Sequence, residues 1–76
     1  MSIGESIRKT RIAQNLKQET VAKAIGMSVT AYGDIERGKA KNITLPRLEQ
    51  IAGALKVTVA EIISESDDIL STGELN

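Results

Sequence analysis

The sequence predicts an all-α domain of five short helices. Three observations carry that expectation. Apolar residues recur at helical spacing along most of the chain. Hydroxyl residues suited to helix caps and glycines suited to helix stops punctuate those stripes. No strand-like alternation and no Asn-Gly hairpin signal occurs.

The elements follow in order. Ile3 and Ile7 lie one turn apart, Arg11 continues their stripe, and Asn15 breaks it, with Leu16 as an anchor in the connection. The segment 18–25 places Val21, Ala22 and Ile25 on one face and stops at Gly26. Ser28 suits the N-cap of a third helix that carries Tyr32 and Ile35 inward and ends at Gly38. Residues 39–43 form a loop. Thr44 caps a fourth helix with Pro46 in its first turn, where a missing N–H costs little. Its stripe is Leu45, Leu48, Ile51, Ala52 and Leu55. Thr58 caps a short fifth helix through Val59, Ile62 and Ile63. The organisation is therefore a domain over 1–63 and an acidic C-terminal tail over 64–76.

Composition removes whole classes of function. The 76 residues contain no cysteine and no histidine. Disulfide frameworks, zinc fingers, thiol catalysis and histidine-based triads are excluded. Tyr32 is the only aromatic residue, too few for a single-strand binder that stacks bases. No nucleophile–base pair and no phosphate-cradling glycine loop is present, so the expectation is a protein that is not an enzyme, without cofactor or bound metal. No apolar run approaches the roughly 20 residues of a membrane span, and no signal peptide is visible, which gives a cytoplasmic expectation and no membrane partner. A chain this short buries only about 60% of its unfolded surface, and dimerisation is the usual remedy.

The formal net charge of zero hides a gradient. Residues 1–41 hold eight basic and four acidic side chains, residues 42–63 balance, and residues 64–76 hold four acids and no base. A basic first half with Arg37, Lys39 and Lys41 close together suits a polyanion, though solvated helix faces account for the same pattern.

The segment QETVAKAIGMSVTAYGDIERGK, residues 18–39, meets the needs of a helix-turn-helix. Ala22 is small enough for two helices to cross. Gly26 supplies a tight turn. Val21, Ile25, Met27, Tyr32 and Ile35 anchor both sides, and Ser28 caps the second helix. With IGESIRKTR before it and LPRLEQIAGALKVTVAEII after it, the chain resembles the Xre family of Cro- and repressor-type helix-turn-helix transcriptional regulators, the lambda-repressor-like domain. The resemblance covers residues 3–63.

That resemblance implies a five-helix bundle whose third helix enters the major groove of double-stranded DNA. It implies an ion pair of Arg11 with Glu36 that orients this helix. It places Gln18 on a phosphate and as a brace, and Lys17, Ser28, Arg37, Lys39 and Lys41 along the DNA backbone. Val29, Thr30, Gly33 and Asp34 fall where base edges would be read. These four depart from the usual Arg, Gln, Ser or Lys, and the expectation is modest direct readout: Val29 and Thr30 on thymine methyls, Asp34 accepting from cytosine N4. Lys56 stands where the family often has glycine. The implied protein is a sequence-specific regulator, a repressor by expectation, acting as a homodimer on a roughly palindromic operator through Ile62, Ile63, Ile69 and Leu70. The alternative on the same scaffold is an antitoxin-type module whose acidic tail engages a protein partner such as a toxin.

Overall fold

The computed structural model describes residues 2–40 and 43–64. Among them run five helices and no strand: α1 (Ile3–Ala13), α2 (Gln18–Ala24), α3 (Val29–Glu36), α4 (Leu45–Ala54) and α5 (Val59–Ser64). None of them is long and apolar enough to cross a membrane.

Most helices begin on a local side-chain cap. Ser2 and Glu5 close a capping box on α1: the Ser2 hydroxyl accepts from the Glu5 N–H, and the Glu5 carboxylate accepts from the Ser2 N–H. Ser28 accepts from the Ala31 N–H at 3.1 Å, and Thr44 from the Arg47 N–H at 3.2 Å. Thr58 and Glu61 repeat the box on α5. Only α2 starts without a side-chain cap, on Lys17.

The first four helices also end alike. Each is followed by a residue in the left-handed region: Asn15 (φ 59°), Gly26 (φ 72°), Gly38 (φ 79°) and Lys56 (φ 59°). The next N–H then reaches back over the last turn, from Leu16 to the Arg11 carbonyl, Met27 to Ala22, Lys39 to Asp34, and Val57 to Ala52, at 2.9–3.2 Å. This is the Schellman closure, and it satisfies carbonyls that would otherwise be orphaned. At Lys56 the closure explains why glycine is at home there: a side chain is tolerated in this conformation at a cost of about 1 kcal/mol.

The core gathers one face from each helix. Ile7, Val21, Ala22, Tyr32, Ile51, Leu55 and Ile62 are all but inaccessible to solvent. α1 packs on α3 and α5, α2 on α3 and α4, and α4 on α5. Two polar contacts tie α1 and its C-cap to the C-terminal half: the buried Ser6 hydroxyl donates to the Ile62 carbonyl at 2.9 Å, and the more exposed Gln14 amide donates to the Leu55 carbonyl.

Two expectations are corrected here. Ile62, assigned to a dimer surface, is 1% exposed and belongs to the protomer's own core. Leu45, assigned to the inner stripe of α4, is 58% exposed. It is the first residue of the helix, and its neighbours Thr44 and Pro46 are exposed as well. Ile69, Leu70 and Lys41, with all of the tail beyond Ser64, lie outside the described residues.

Candidate nucleic-acid interface

The α2–turn–α3 unit is built for close crossing. Ala22 is fully buried at the crossing, and the Met27 N–H bonds back to its carbonyl at 2.9 Å across the turn. A bulkier side chain at 22 would push α3 outward, because interiors are packed to crystal-like density.

The inner face of α3 is locked by a charged cluster. Arg11 Nε donates to Glu36 Oε2 at 2.7 Å, and Arg11 Nη2 to Glu36 Oε1 at 3.1 Å, a bidentate fork. Arg11 Nη1 also donates to the Leu16 carbonyl at 2.7 Å. Gln18 Nε2 adds a third bond to Glu36 Oε1 at 3.1 Å. One carboxylate thus ties α1 and the start of α2 to the end of α3, and Arg11 adds the α1–α2 connection. Burial pushes the Glu36 carboxyl up, but the bonds from Arg11 and Gln18 and the nearby Tyr32 hydroxyl outweigh it, and the group ends below its ordinary range. The bond from Glu36 raises the Arg11 guanidinium further, against the opposing effect of burial. The Tyr32 hydroxyl is buried beside this pair, close enough to act on Glu36 but not aligned for a hydrogen bond. Burial first, and the Glu36 charge second, hold its phenol well above the usual tyrosine value.

Gly4 completes the lock. A Cβ there would overlap the Ile35 carbonyl oxygen and come within 2.8 Å of the Glu36 carbonyl oxygen. The first turn of α1 therefore rests directly on the end of α3, a contact that helical spacing alone does not reveal.

The outer face of α3 is open. Val29 is 42% exposed, and Thr30, Ala31 and Arg37 are exposed too. Asp34 is half-buried and paired with Arg37, Oδ1 to Nη2 at 2.8 Å. Gly33 does not face out bare. Its surface is covered by the Arg37 guanidinium, and the residue counts as buried. Lys17 and Lys39 are exposed at either side of the unit, and Ser28 is exposed too, its hydroxyl accepting the cap bond with its own O–H left to donate. Gln18 has its amide on Glu36, so its bracing role is visible in the geometry.

Beside this face lies a groove of about 480 Å³ between α3 and the start of α4, lined by Met27, Ala31, Asp34, Lys39, Ile43 and Arg47 among others. Arg47 was not singled out from the sequence. It sits in the first turn of α4, where the helix dipole disfavours a cation. That mismatch is the signal that could have flagged it. Its guanidinium leans away instead, to the Ile25 carbonyl at 3.4 Å and to Gln50 Oε1 at 3.0 Å, and adds positive charge to the groove wall.

Comparison with known proteins decides the family. Residues 7–62 match the helix-turn-helix family model, nearly three quarters of the chain. The chain belongs to this helix-turn-helix family. It is 36% identical over 63 residues to the control protein C.MunI of a Mycoplasma species, covering 82% of this chain and 84% of that protein. It is 35% identical over 65 residues to the immunity repressor protein of Bacillus phage phi105, covering 86% of this chain but 44% of the repressor. Among solved structures it is similar to the restriction-modification controller protein C.AhdI from Aeromonas hydrophila, with a TM-score of 0.73 and 33% identity over 79% of this chain and 89% of that one. This helix-turn-helix protein is therefore a DNA-binding transcriptional regulator of the Xre type, and its family is not one of enzymes.

Proposed function

We propose that the chain is a sequence-specific repressor that binds double-stranded DNA as a homodimer and controls a small set of genes, as the names of its control-protein and phage-repressor relatives suggest for them. The observation that carries this reading is the contrast across α3. Its inner face is fixed by Arg11, Glu36 and Gln18, while its outer face is left open between Lys17 and Lys39. A helix held at one angle with one free face can be laid reproducibly into a major groove. Val29 and Thr30 supply apolar contact to thymine methyls, and the lysines supply phosphate contacts that set register.

Two copies related by a two-fold axis require half-sites about 34–36 Å apart on a roughly palindromic operator. With Ile62 enclosed, the dimer surface is assigned to Ile63 and the exposed side of α5, and the site of action is the cytoplasm, where such an operator resides.

The test is a fluorescence-anisotropy titration of a labelled duplex taken from upstream of the protein's own gene, at low and at physiological salt, with unrelated competitor DNA. Binding that survives competitor, together with a sedimentation-equilibrium mass of two chains, is the expected result. Binding that vanishes with salt and competitor leaves only the phosphate contribution, and would move the search to a protein partner of the antitoxin type.

A further inference from the structure

We infer that Arg37 reads the edge of a guanine in the bound duplex, and that Gly33 and Asp34 position its guanidinium for that contact. This rests on the specific DNA-binding reading above and reassigns three of its residues. Val29, Gly33 and Arg37 are spaced four residues apart and so follow one row down α3, with Thr30 and Asp34 on the row beside it. On that surface the Arg37 side chain folds back over Gly33. A Cβ at position 33 would meet both terminal nitrogens at 3.1 Å and the guanidinium carbon at 3.4 Å. The planar group thus lies across bare backbone, so close that any Cβ at position 33 would push it off by a few tenths of an ångström. Asp34 Oδ1 holds Nη2 at 2.8 Å from the neighbouring row. The backbone beneath is fixed as well, since the Arg37 N–H bonds to the Gly33 carbonyl at 3.0 Å.

This arrangement discriminates between the two acceptors that DNA offers. A phosphate is bound through net charge as well as through the fork, and a guanidinium sharing a carboxylate gives it less; the carboxylate itself repels the backbone. A base edge is bound through direction. The guanidinium has five N–H donors in a rigid fork, and Asp34 engages one edge of it. The remainder suits guanine O6 and N7, the pair that arginine reads with two bonds. Gly33 and Asp34 then make no base contact of their own. The glycine is the platform and the carboxylate the tether.

The experiment is selection of binding sites from a random duplex pool with the full chain and with R37A, R37K, D34N and G33A. The expected half-site for the unaltered protein contains an invariant guanine. R37A and R37K lose preference at that base alone, and R37K does so while keeping its charge. Replacing that guanine by 7-deazaguanine, which lacks the N7 acceptor, weakens binding of the unaltered protein on the order of 10-fold and leaves R37A unmoved. D34N frees the cation, so discrimination falls and affinity for random DNA becomes more salt-dependent. G33A gives opposite signs in two measurements: the melting temperature rises because alanine favours the helix, and discrimination at the guanine falls because the methyl displaces the guanidinium. A structural role alone would not lower specificity while raising stability.

The inference is overturned if R37A weakens binding equally on every sequence and lowers the salt slope by about one, the mark of a phosphate contact. It is overturned alone if the enriched site has no guanine that R37A affects. A pool in which the unaltered protein enriches nothing overturns the specific-DNA reading together with it.

Discussion

The two faces of α3 are made in opposite ways. The inner face carries Tyr32, Ile35 and Glu36, all buried, with Glu36 receiving three hydrogen bonds from two other segments. The outer face carries Val29, Thr30 and an Asp34–Arg37 pair made within the helix, with Arg37 exposed and Asp34 half-buried. Orientation of the helix is therefore set by the buried residues of its inner face, and the exposed residues of its outer face contribute little to the fold. Changes on one face should be separable from changes on the other.

The largest effect expected is on the inner side. Arg11→Ala leaves a buried carboxylate with one amide partner and should cost about 3–5 kcal/mol, a large part of the stability of a domain this small. Urea unfolding followed by helical circular dichroism measures it. A loss under about 1 kcal/mol would show that Glu36 is held without Arg11. Gly4→Ala comes next. Its new methyl meets backbone oxygens that cannot swing aside, so a loss of about 3 kcal/mol is expected, with α3 displaced and DNA affinity reduced as well. A fully stable Gly4→Ala would mean that α1 can shift its seat on α3.

The third break uses acid. Glu36 is held below its ordinary value of 4.5, so it contributes stability above that pH. As pH falls through 4.5 the unfolded chain takes up its proton first, and the contribution is lost on the way down to the folded-state value. Melting temperatures between pH 7 and pH 3 should fall steeply, and Glu36→Gln should flatten that part of the curve. An identical slope in both proteins would assign the acid sensitivity to other carboxylates. The smallest effects belong to the outer face. Val29→Ala and Thr30→Ala should change stability by no more than about 0.5 kcal/mol while weakening specific DNA binding. Uracil in place of the contacted thymines should reproduce that weakening, and unchanged affinity would remove the methyl contact.

Local chemistry made most of the fold legible. The caps at Ser28, Thr44 and Thr58, the stops at Gly26 and Gly38, and the stripes of Ile7, Val21, Ile51 and Leu55 each follow from a few neighbouring residues. The misses share another cause. Ile62 and Ile63 are adjacent in a helix of six residues, too short for periodicity to say which one turns inward. Gly4 acquires its role from carbonyls more than thirty residues away. Gly33 is covered by a side chain one turn on, and the spacing allows that contact without requiring it. In the site, Arg11, Gln18 and Glu36 were legible through family resemblance, because three polar residues distant in sequence declare no partnership by composition. Arg47 was missed because its charge balances Glu49 in a count, while in space it leans toward the end of α2.

Tyr32 has a consequence of another kind. It is the chain's single aromatic group, it is fully enclosed, and it stands against the carboxylate that orients α3. All near-ultraviolet absorbance of the protein therefore originates at one point, inside the joint between α1 and α3. Ionisation of that phenol is suppressed while the joint is closed, so alkaline phenolate absorbance should appear only as the joint opens. The molecule carries its own optical gauge of the lock, with no label to add and no second chromophore to subtract.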